Sequence, residues 1–364
     1  ASIMPIHSFC LRLLREYFHV LNLDPGFRMA DEAELTLLKS DLLAELLEQE
    51  YEQGDASFFR FVECYAGSKT DQALEEQILR LYRFAESYPW TEEWLAQTEQ
   101  LLFVDDVADL EPHPCMKVLL DLTKRLLQAT LADTDRAMQI CRSPMGPAAY
   151  MTALQDDRDM ITALLRCNTY AEFATAMAEV KYTALSRKKQ ECDEEKKELV
   201  KQLRDGNKKV IKKLQEDYFF QTTEEIIADL QKIREPLLVL VRLTKQFAAN
   251  FQKAKRERNI LDFSDLEHLA IALLCEKTED GMRPSKAAEE IRIRFDEIMI
   301  DEYQDSNLIQ EWILKSISGD SIGKPNRFMV GDVKQSIYKF RMARPELFLE
   351  KYHRYTDAGK YVRI

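Results

Sequence analysis

Glycine and proline are scarce, with 10 and 11 residues in a chain of 364. Turn-rich β architectures draw on both, so their scarcity favours long helices. Long apolar runs are missing too. None approaches the roughly 18 residues of a membrane span, so no membrane association is expected. Ala1-Ser2-Ile3-Met4-Pro5 has no basic region leading into an apolar stretch, which argues against a signal peptide. Seven cysteines and five histidines form neither a C-x-x-C nor an H-x₃-H pattern. A zinc or iron–sulfur site within the chain is not expected, and scattered reduced thiols fit a cytoplasmic protein.

What is present suits a soluble fold of one large domain or two. Hydrophobic residues make up 46% and charged residues 31%. The net charge of −12 argues, taken alone, against nucleic acid. Its distribution is uneven, because residues 324–364 hold ten Lys/Arg against four acids. A local basic segment can meet phosphate whatever the global sum, since salt screens exposed charges beyond about 10 Å.

Three zones differ in texture. In residues 1–20, Ser2-Ile3-Met4 reads as the end of a short strand. Ser8 reads as the cap of a helix carrying Phe9, Leu11, Leu13, Leu14 and Phe18. Residues 21–258 read as helical throughout, with apolar residues at three- and four-residue steps, as in Leu35, Leu38, Leu42, Leu43, Leu46 and Leu47. Pro112, Pro114, Pro144, Pro147 and Pro236 punctuate the helices. Within this zone Ser186–Asp217 has eleven Lys/Arg and eight Asp/Glu. Leu199, Leu203, Val210 and Leu214 give it a narrow apolar stripe. It reads as a solvated helical arm with i,i+4 pairs Asp193–Lys197 and Asp205–Lys209, bending at Gly206-Asn207.

The third zone, from Asn259, changes character. Ile298-Met299-Ile300 and Phe328-Met329-Val330 are short apolar runs ending in acids. Between them Leu308, Ile309, Trp312, Ile313 and Ile317 have helical spacing. Strand, helix, strand over about 35 residues is a βαβ unit with a parallel sheet. Tyr361-Val362-Arg363-Ile364 reads as a further strand.

Two strings carry chemistry. Asp301-Glu302 follows the first strand directly, at the end where parallel sheets bind ligands. One acid can hold Mg²⁺ through its waters, because this ion prefers one or two carboxylates plus phosphate oxygens. The other can orient and deprotonate an attacking water. A lone Asp-Glu pair is usually a solvated turn, but the full string Ile300-Asp301-Glu302-Tyr303-Gln304-Asp305-Ser306-Asn307 is far more specific. The second string runs from Gly331-Asp332 through Gln335 to Tyr338-Lys339-Phe340-Arg341. Gln335 can reach a γ-phosphate. Tyr338 and Phe340 can stack on bases while Lys339 and Arg341 meet backbone phosphate. The competing reading makes Ile337, Tyr338 and Phe340 core residues of an amphipathic turn.

These strings resemble motif II (DExQD) and motif III (GDxxQSIYxFR) of the UvrD/Rep class of superfamily 1 DNA helicases. Ile6-His7-Ser8-Phe9-Cys10 resembles the family's T-[IF]-H-S-[FM] motif, with Pro5 in place of Thr. Leu261-Asp262-Phe263-Ser264-Asp265-Leu266 resembles its D-F-x-D-L motif. Val333-Lys334 before Gln335, Phe340 in place of Trp, and Arg344-Pro345-Glu346-Leu347-Phe348 are similar to the AddA and RecB-type branch, whose AddA members are helicase/nuclease subunits that resect broken DNA in bacteria.

The resemblance implies an α/β fold that is mostly helical. Residues 1–20 and 259–364 would form part of a RecA-like P-loop NTPase sheet, domain 1A, and residues 21–258 an all-α inserted subdomain, 1B. ATP and Mg²⁺ are the implied cofactors. Asp301 would hold the metal and Glu302 would be the general base. Gln304, Asp332 and Gln335 would line the nucleotide site, with Gln335 linking γ-phosphate to DNA grip. His7, Ser8, Phe263, Tyr338, Phe340 and Arg341 would touch DNA. The implied partners are single-stranded and duplex DNA and an AddB-like protein, with 3′→5′ translocation in a bacterial cytoplasm. No G-x-x-x-x-G-K-[ST] occurs, since Gly323-Lys324 and Gly359-Lys360 are followed by Pro325 and Tyr361. The family's phosphate loop, second RecA-like domain and nuclease are therefore expected outside these residues, and the chain alone is expected to be inactive as an ATPase. Two alternatives are a non-enzymatic DNA-binding or protein-docking module, and a UvrD-type helicase without a nuclease.

Overall fold

The computed structural model describes residues 2–67, 70–188, 191–278, 281–336, 343–355 and 362. Among them the helices of the first half are α1 (Ile6–Glu16), α2 (Glu32–Gln53), α3 (Ala56–Tyr65), α4 (Gln72–Ala85), α5 (Thr91–Leu101), α6 (Val107–Leu110), α7 (Pro114–Arg142) and α8 (Met151–Leu165). Then come α9 (Tyr170–Ala178), α10 (Glu194–Asp217), α11 (Thr223–Glu257), α12 (Phe263–Leu274), α13 (Lys286–Arg292), α14 (Leu308–Ser316) and α15 (Pro345–Arg354). The strands are β1 (Arg28–Met29), β2 (Ile260–Leu261), β3 (Cys275–Thr278), β4 (Gly281–Pro284), β5 (Ile298–Ile300) and β6 (Arg327–Met329). They pair two by two: β1–β2 and β5–β6 parallel, β3–β4 antiparallel. The fold is mostly helical with a few small sheets.

The chain forms two compact units, Ala1–Glu99 with Pro236–Ile364, and Gln100–Glu235. The first unit has two large apolar cores among its described residues. One joins Phe9, Cys10, Leu13 and Leu14 of α1 to Leu266, Ile271 and Leu274 of α12 and to Ile309 and Ile313 of α14. The expected βαβ unit is built on it. Ile298, Met299 and Ile300 face Arg327, Phe328 and Met329 in parallel register, with α14 as the crossover. The second core packs Leu43 and Leu46 of α2, Phe58 and Phe61 of α3 and Ile78 and Tyr82 of α4 against Phe247 and Phe251 of α11.

The second unit packs α7, α8, α9 and α10 around Leu127, Ile161, Leu164, Phe173, Ile211 and Leu214. Here the solvated arm needs correction. The helix begins only at Glu194, and Val200, Arg204, Asn207, Ile211 and Leu214 are buried. The buried stripe holds two polar residues, which a count of apolar positions misses. Arg204 donates to Asp157 (Nη2–Oδ1 3.0 Å), and Asn207 donates to the Thr130 carbonyl (3.1 Å) and Thr134 Oγ1 (3.0 Å). The helix runs unbroken through Gly206-Asn207. Asp193 caps the helix by accepting from Glu195 N and Lys196 N, and Lys197 pairs with Glu194 instead.

Three further expectations change. Residues 2–5 have no regular structure, so Ser2-Ile3-Met4 is not a strand. Pro5, extended at φ −60° and ψ 151°, is the N-cap of α1, and Ser8 lies inside the helix. Pro236 does not end a helix, because α11 runs through it for 35 residues. A proline inside a helix removes one hydrogen bond, and the apolar contacts of Val239, Leu240, Leu243 and Phe247 hold the helix beyond it. The strand expected at 361–364 falls almost wholly outside the described residues.

Candidate active site

β5 and β6 end together, and the backbone ladder continues past both. Val330 N donates to the Ile300 carbonyl and Tyr303 N donates to the Val330 carbonyl, each at 2.9 Å. To bring Tyr303 back over β6 the chain turns left-handed at Glu302, with φ 49° and ψ 40°. For a residue with a Cβ this costs about 1–2 kcal/mol. Strain of this kind persists where the surroundings over-determine it. Tyr303 supplies that constraint. Fully buried, it donates its hydroxyl to Glu311 and accepts from Lys351, whose Nζ also reaches Glu311 Oε1 at 2.7 Å. Arg327 completes the cluster by bonding Glu311 (3.1 Å) and Asp320. Burial works against the charge on Glu311, yet Arg327 and Lys351 hold its carboxyl below the usual range.

With Tyr303 anchored beneath, Asp301 and Glu302 are left exposed at the end of the strand pair. Asp301 Oδ1 accepts from Glu302 N at 2.9 Å. Buried Gln304 then spans the two strings. Its Nε2 donates to Glu302 Oε2 (2.6 Å), and its Oε1 accepts from Asp332 N (3.0 Å). Gly331 makes this bridge possible, because a Cβ there would lie 2.3 Å from Gln304 Oε1. Asp332 accepts from Lys334 N (3.0 Å) and Gln335 Nε2 (3.2 Å), which folds exposed Gln335 back toward the strand end. Ser336 Oγ donates to Asp305 Oδ1 (3.1 Å), and Arg344 N donates to the Ser306 carbonyl (3.0 Å). Asp301, Glu302, Gln304, Asp332 and Gln335 thus share one end of the β5–β6 pair.

His7 and Phe263 meet elsewhere in this unit, with ring centroids 5.2 Å apart at 54°. Phe263 opens α12 and is 62% exposed. Ser8 follows His7 on α1 and is exposed. Tyr338, Phe340 and Arg341 lie outside the described residues. The basic segment is also thinner than its composition suggests, since Arg327 and Lys351 are consumed by Glu311 and Asp320.

Among the polar residues that hold these groups, Lys255, Glu267 and Gln310 carry no local sequence signal. Asp262 and Asp265 form a capping box at the start of α12 and share buried Lys255, whose Nζ lies 2.9 Å from Asp262 and 2.7 Å from Asp265. Glu267 accepts from Asn307 (2.9 Å) and Gln310 (2.7 Å) and lies 3.0 Å from His7 Nε2. No group of three or more His, Cys, Asp or Glu suited to a metal ion occurs among the described residues. No helix among them is long and apolar enough to cross a membrane.

Comparison with known proteins decides the family. Residues 1–356 match the UvrD/REP helicase N-terminal domain. The chain belongs to that family. Its relatives include the A component of the ATP-dependent helicase/nuclease of Lachnoclostridium phytofermentans, 47% identical across 100% of this chain and 27% of that protein. The same-named proteins of Acetivibrio thermocellus and Geobacillus kaustophilus are 41% and 40% identical, covering 100% and 99% of this chain. The chain spans 30% of the length of each of these two. The resemblance to the AddA branch, read from Val333-Lys334, Phe340 and Arg344-Pro345-Glu346-Leu347-Phe348, agrees with these names.

Proposed function

We propose that this chain is the ATP-hydrolysing helicase portion of a helicase/nuclease subunit, working on DNA with single-stranded and duplex segments. The observation that carries the reading is the pair of exposed carboxylates at the end of two parallel strands, tied through buried Gln304 to Asp332 and Gln335. Residues 1–20 and 259–364 would belong to a RecA-like domain 1A, and 21–258 to the inserted 1B subdomain.

The donor set suits Mg²⁺. This ion is held by one or two carboxylates together with phosphate oxygens and water, and Asp301 offers an exposed carboxylate at the end of β5. When bound, the ion would supply positive charge that offsets the charge of the phosphates of ATP. Glu302, held at Oε2 by Gln304, orients the attacking water and takes its proton. Gln335 and Asp332, at the end of the neighbouring strand, face the γ-phosphate. Gln335 also opens the segment that leads to Tyr338, Phe340 and Arg341, so loss of the γ-phosphate changes the grip on DNA. His7, Ser8 and Phe263 form a second DNA contact, with Phe263 stacking on a base. The phosphate cradle, the second RecA-like domain and the nuclease would lie in the parts of such a subunit that this chain does not span, and an AddB-like protein would be its partner. Translocation is 3′→5′ in a bacterial cytoplasm.

In the full-length protein, Glu302→Gln is expected to lower kcat by about 10²–10⁴ while retaining nucleotide affinity. Residues 1–364 alone are expected to hydrolyse no ATP. Undiminished turnover in the full-length variant overturns the assignment.

A further inference from the structure

Glu267 is a buried carboxylate that the ATPase chemistry does not use. It projects from α12 one turn beyond Phe263, and its side chain is 8% exposed. Both of its oxygens are occupied. Oε1 accepts from Gln310 Nε2 (2.7 Å) and lies 3.0 Å from His7 Nε2, while Oε2 accepts from Asn307 Nδ2 (2.9 Å). Burial disfavours its charge, but the bonds from His7, Gln310 and Asn307 outweigh that and hold the carboxyl below its ordinary range. Its charge also reaches Cys10, one turn along α1 from His7. Burial first and Glu267 second push that thiol up to about 12. The carboxylate is therefore a fixed anion joining α1, α12 and α14.

The partners lie on two different functional segments. The His7 ring packs tilted against exposed Phe263 on the surface assigned to DNA. Asn307 ends the acidic string that starts at Asp301, and it has two tasks. Its Oδ1 caps α14 by accepting from Gln310 N at 2.8 Å, and its Nδ2 is committed to Glu267. A shift of the 301–307 loop must move Asn307, and Asn307 cannot move without disturbing the carboxylate that holds His7.

We infer that Glu267 is a positioning residue that makes the DNA grip of His7 and Phe263 depend on the state of the acidic loop. This rests on the ATPase reading of that loop. It gives the protein a second route between nucleotide and DNA, separate from the one through Gln335.

The test uses the full-length protein and a fluorescent oligothymidylate, with affinity measured with and without a non-hydrolysable ATP analogue and Mg²⁺. In wild type the nucleotide should change the affinity about 5-fold or more. Glu267→Gln places an amide donor against donors and should reduce that ratio to under about 2-fold. Asn307→Ser keeps the helix cap, since serine caps as well as asparagine, but cannot reach Glu267, and should have the same effect. The double variant should be no worse than either single one. A merely structural role would lower Tm in both variants and leave the ratio intact. Wild-type ratios in the variants, or a wild-type protein indifferent to nucleotide, overturn the inference. Failure of the ATPase reading shows separately, as Glu302→Gln that still turns over ATP.

Discussion

Gly331→Ala separates the stability of the site from its chemistry. The added methyl would lie 2.3 Å from Gln304 Oε1, 3.2 Å from Gln304 N and 3.3 Å from the Phe348 ring. The last two contacts are tight but need only a few tenths of an ångström. The first must be relieved, and the atom in the way ends a movable side chain. Gln304 therefore yields, and with it go its bonds to Asp332 N and Glu302 Oε2. Each is worth about 0.5–1.5 kcal/mol net, so unfolding should become easier by about 1–3 kcal/mol. At roughly 2–4 °C per kcal/mol for a unit of this size, Tm should fall by about 2–12 °C. The effect on turnover should be larger than this suggests. Glu302 would lose the partner that aims it, and misplacement of a catalytic group by about 1 Å can cost about 100-fold. The assay is kcat of full-length Gly331→Ala and Gln304→Ala, alone and combined. Both act by emptying the same bridge, so the pair should be far from additive. A Gly331→Ala protein with wild-type kcat, or additive losses, refutes the role given to Gln304.

Other outcomes follow from the same geometry. Phe263→Ala in the full-length protein should weaken single-strand binding by about 1–3 kcal/mol in a fluorescence titration, whereas unchanged affinity counts against stacking. Arg204→Met leaves Asp157 buried without its partner and should destabilise the 100–235 unit by about 3–5 kcal/mol in denaturant unfolding. Glu267 and Glu311 are both held below their ordinary value of 4.5. A depressed folded-state pKa contributes stability above that value and loses it as pH falls. Tm of wild type should therefore drop steadily below about pH 4.5, and Glu267→Gln should flatten part of that slope. A slope unchanged by the substitution excludes Glu267 as a source.

The βαβ unit was legible because its signals are local. Ile298-Met299-Ile300 and Phe328-Met329 are apolar, acids follow, and α14 has clean helical spacing. Local signals fail where polar groups bury one another. Arg204 and Asn207 sit on the inner face of α10, so the stripe read from Leu199, Leu203, Val210 and Leu214 was rotated from the buried one. Leu199 is in fact 38% exposed. Arg204 meets Asp157 across 47 residues, and Glu267 meets His7 across 260. No window along the chain contains both members of either pair. Gln304 was visible as a site residue through its string, but its task as a buried bridge needed Gly331 beside it in space.

Acids in this part of the chain divide by where their charge is spent. Asp262, Asp265, Glu267 and Glu311 are buried, and each is matched by cations or donors already in the fold. Removing such a partner strands a charge, so the expected penalty is in folding. Asp301, Glu302 and Asp332 are exposed at the ends of two strands, and the bonds they accept come from backbone N–H groups and the amides of Gln304 and Gln335. No lysine or arginine is paired with them among the described residues. Three uncompensated carboxylates repel one another, and the left-handed turn at Glu302 adds strain. A fold that matches its four buried acids with cations or amide donors and gives these three no cation leaves them for an incoming one. Neutralising any one should therefore leave Tm unchanged or raise it, as Asp332→Asn can show. A large loss of Tm in that variant would place Asp332 with the structural acids instead.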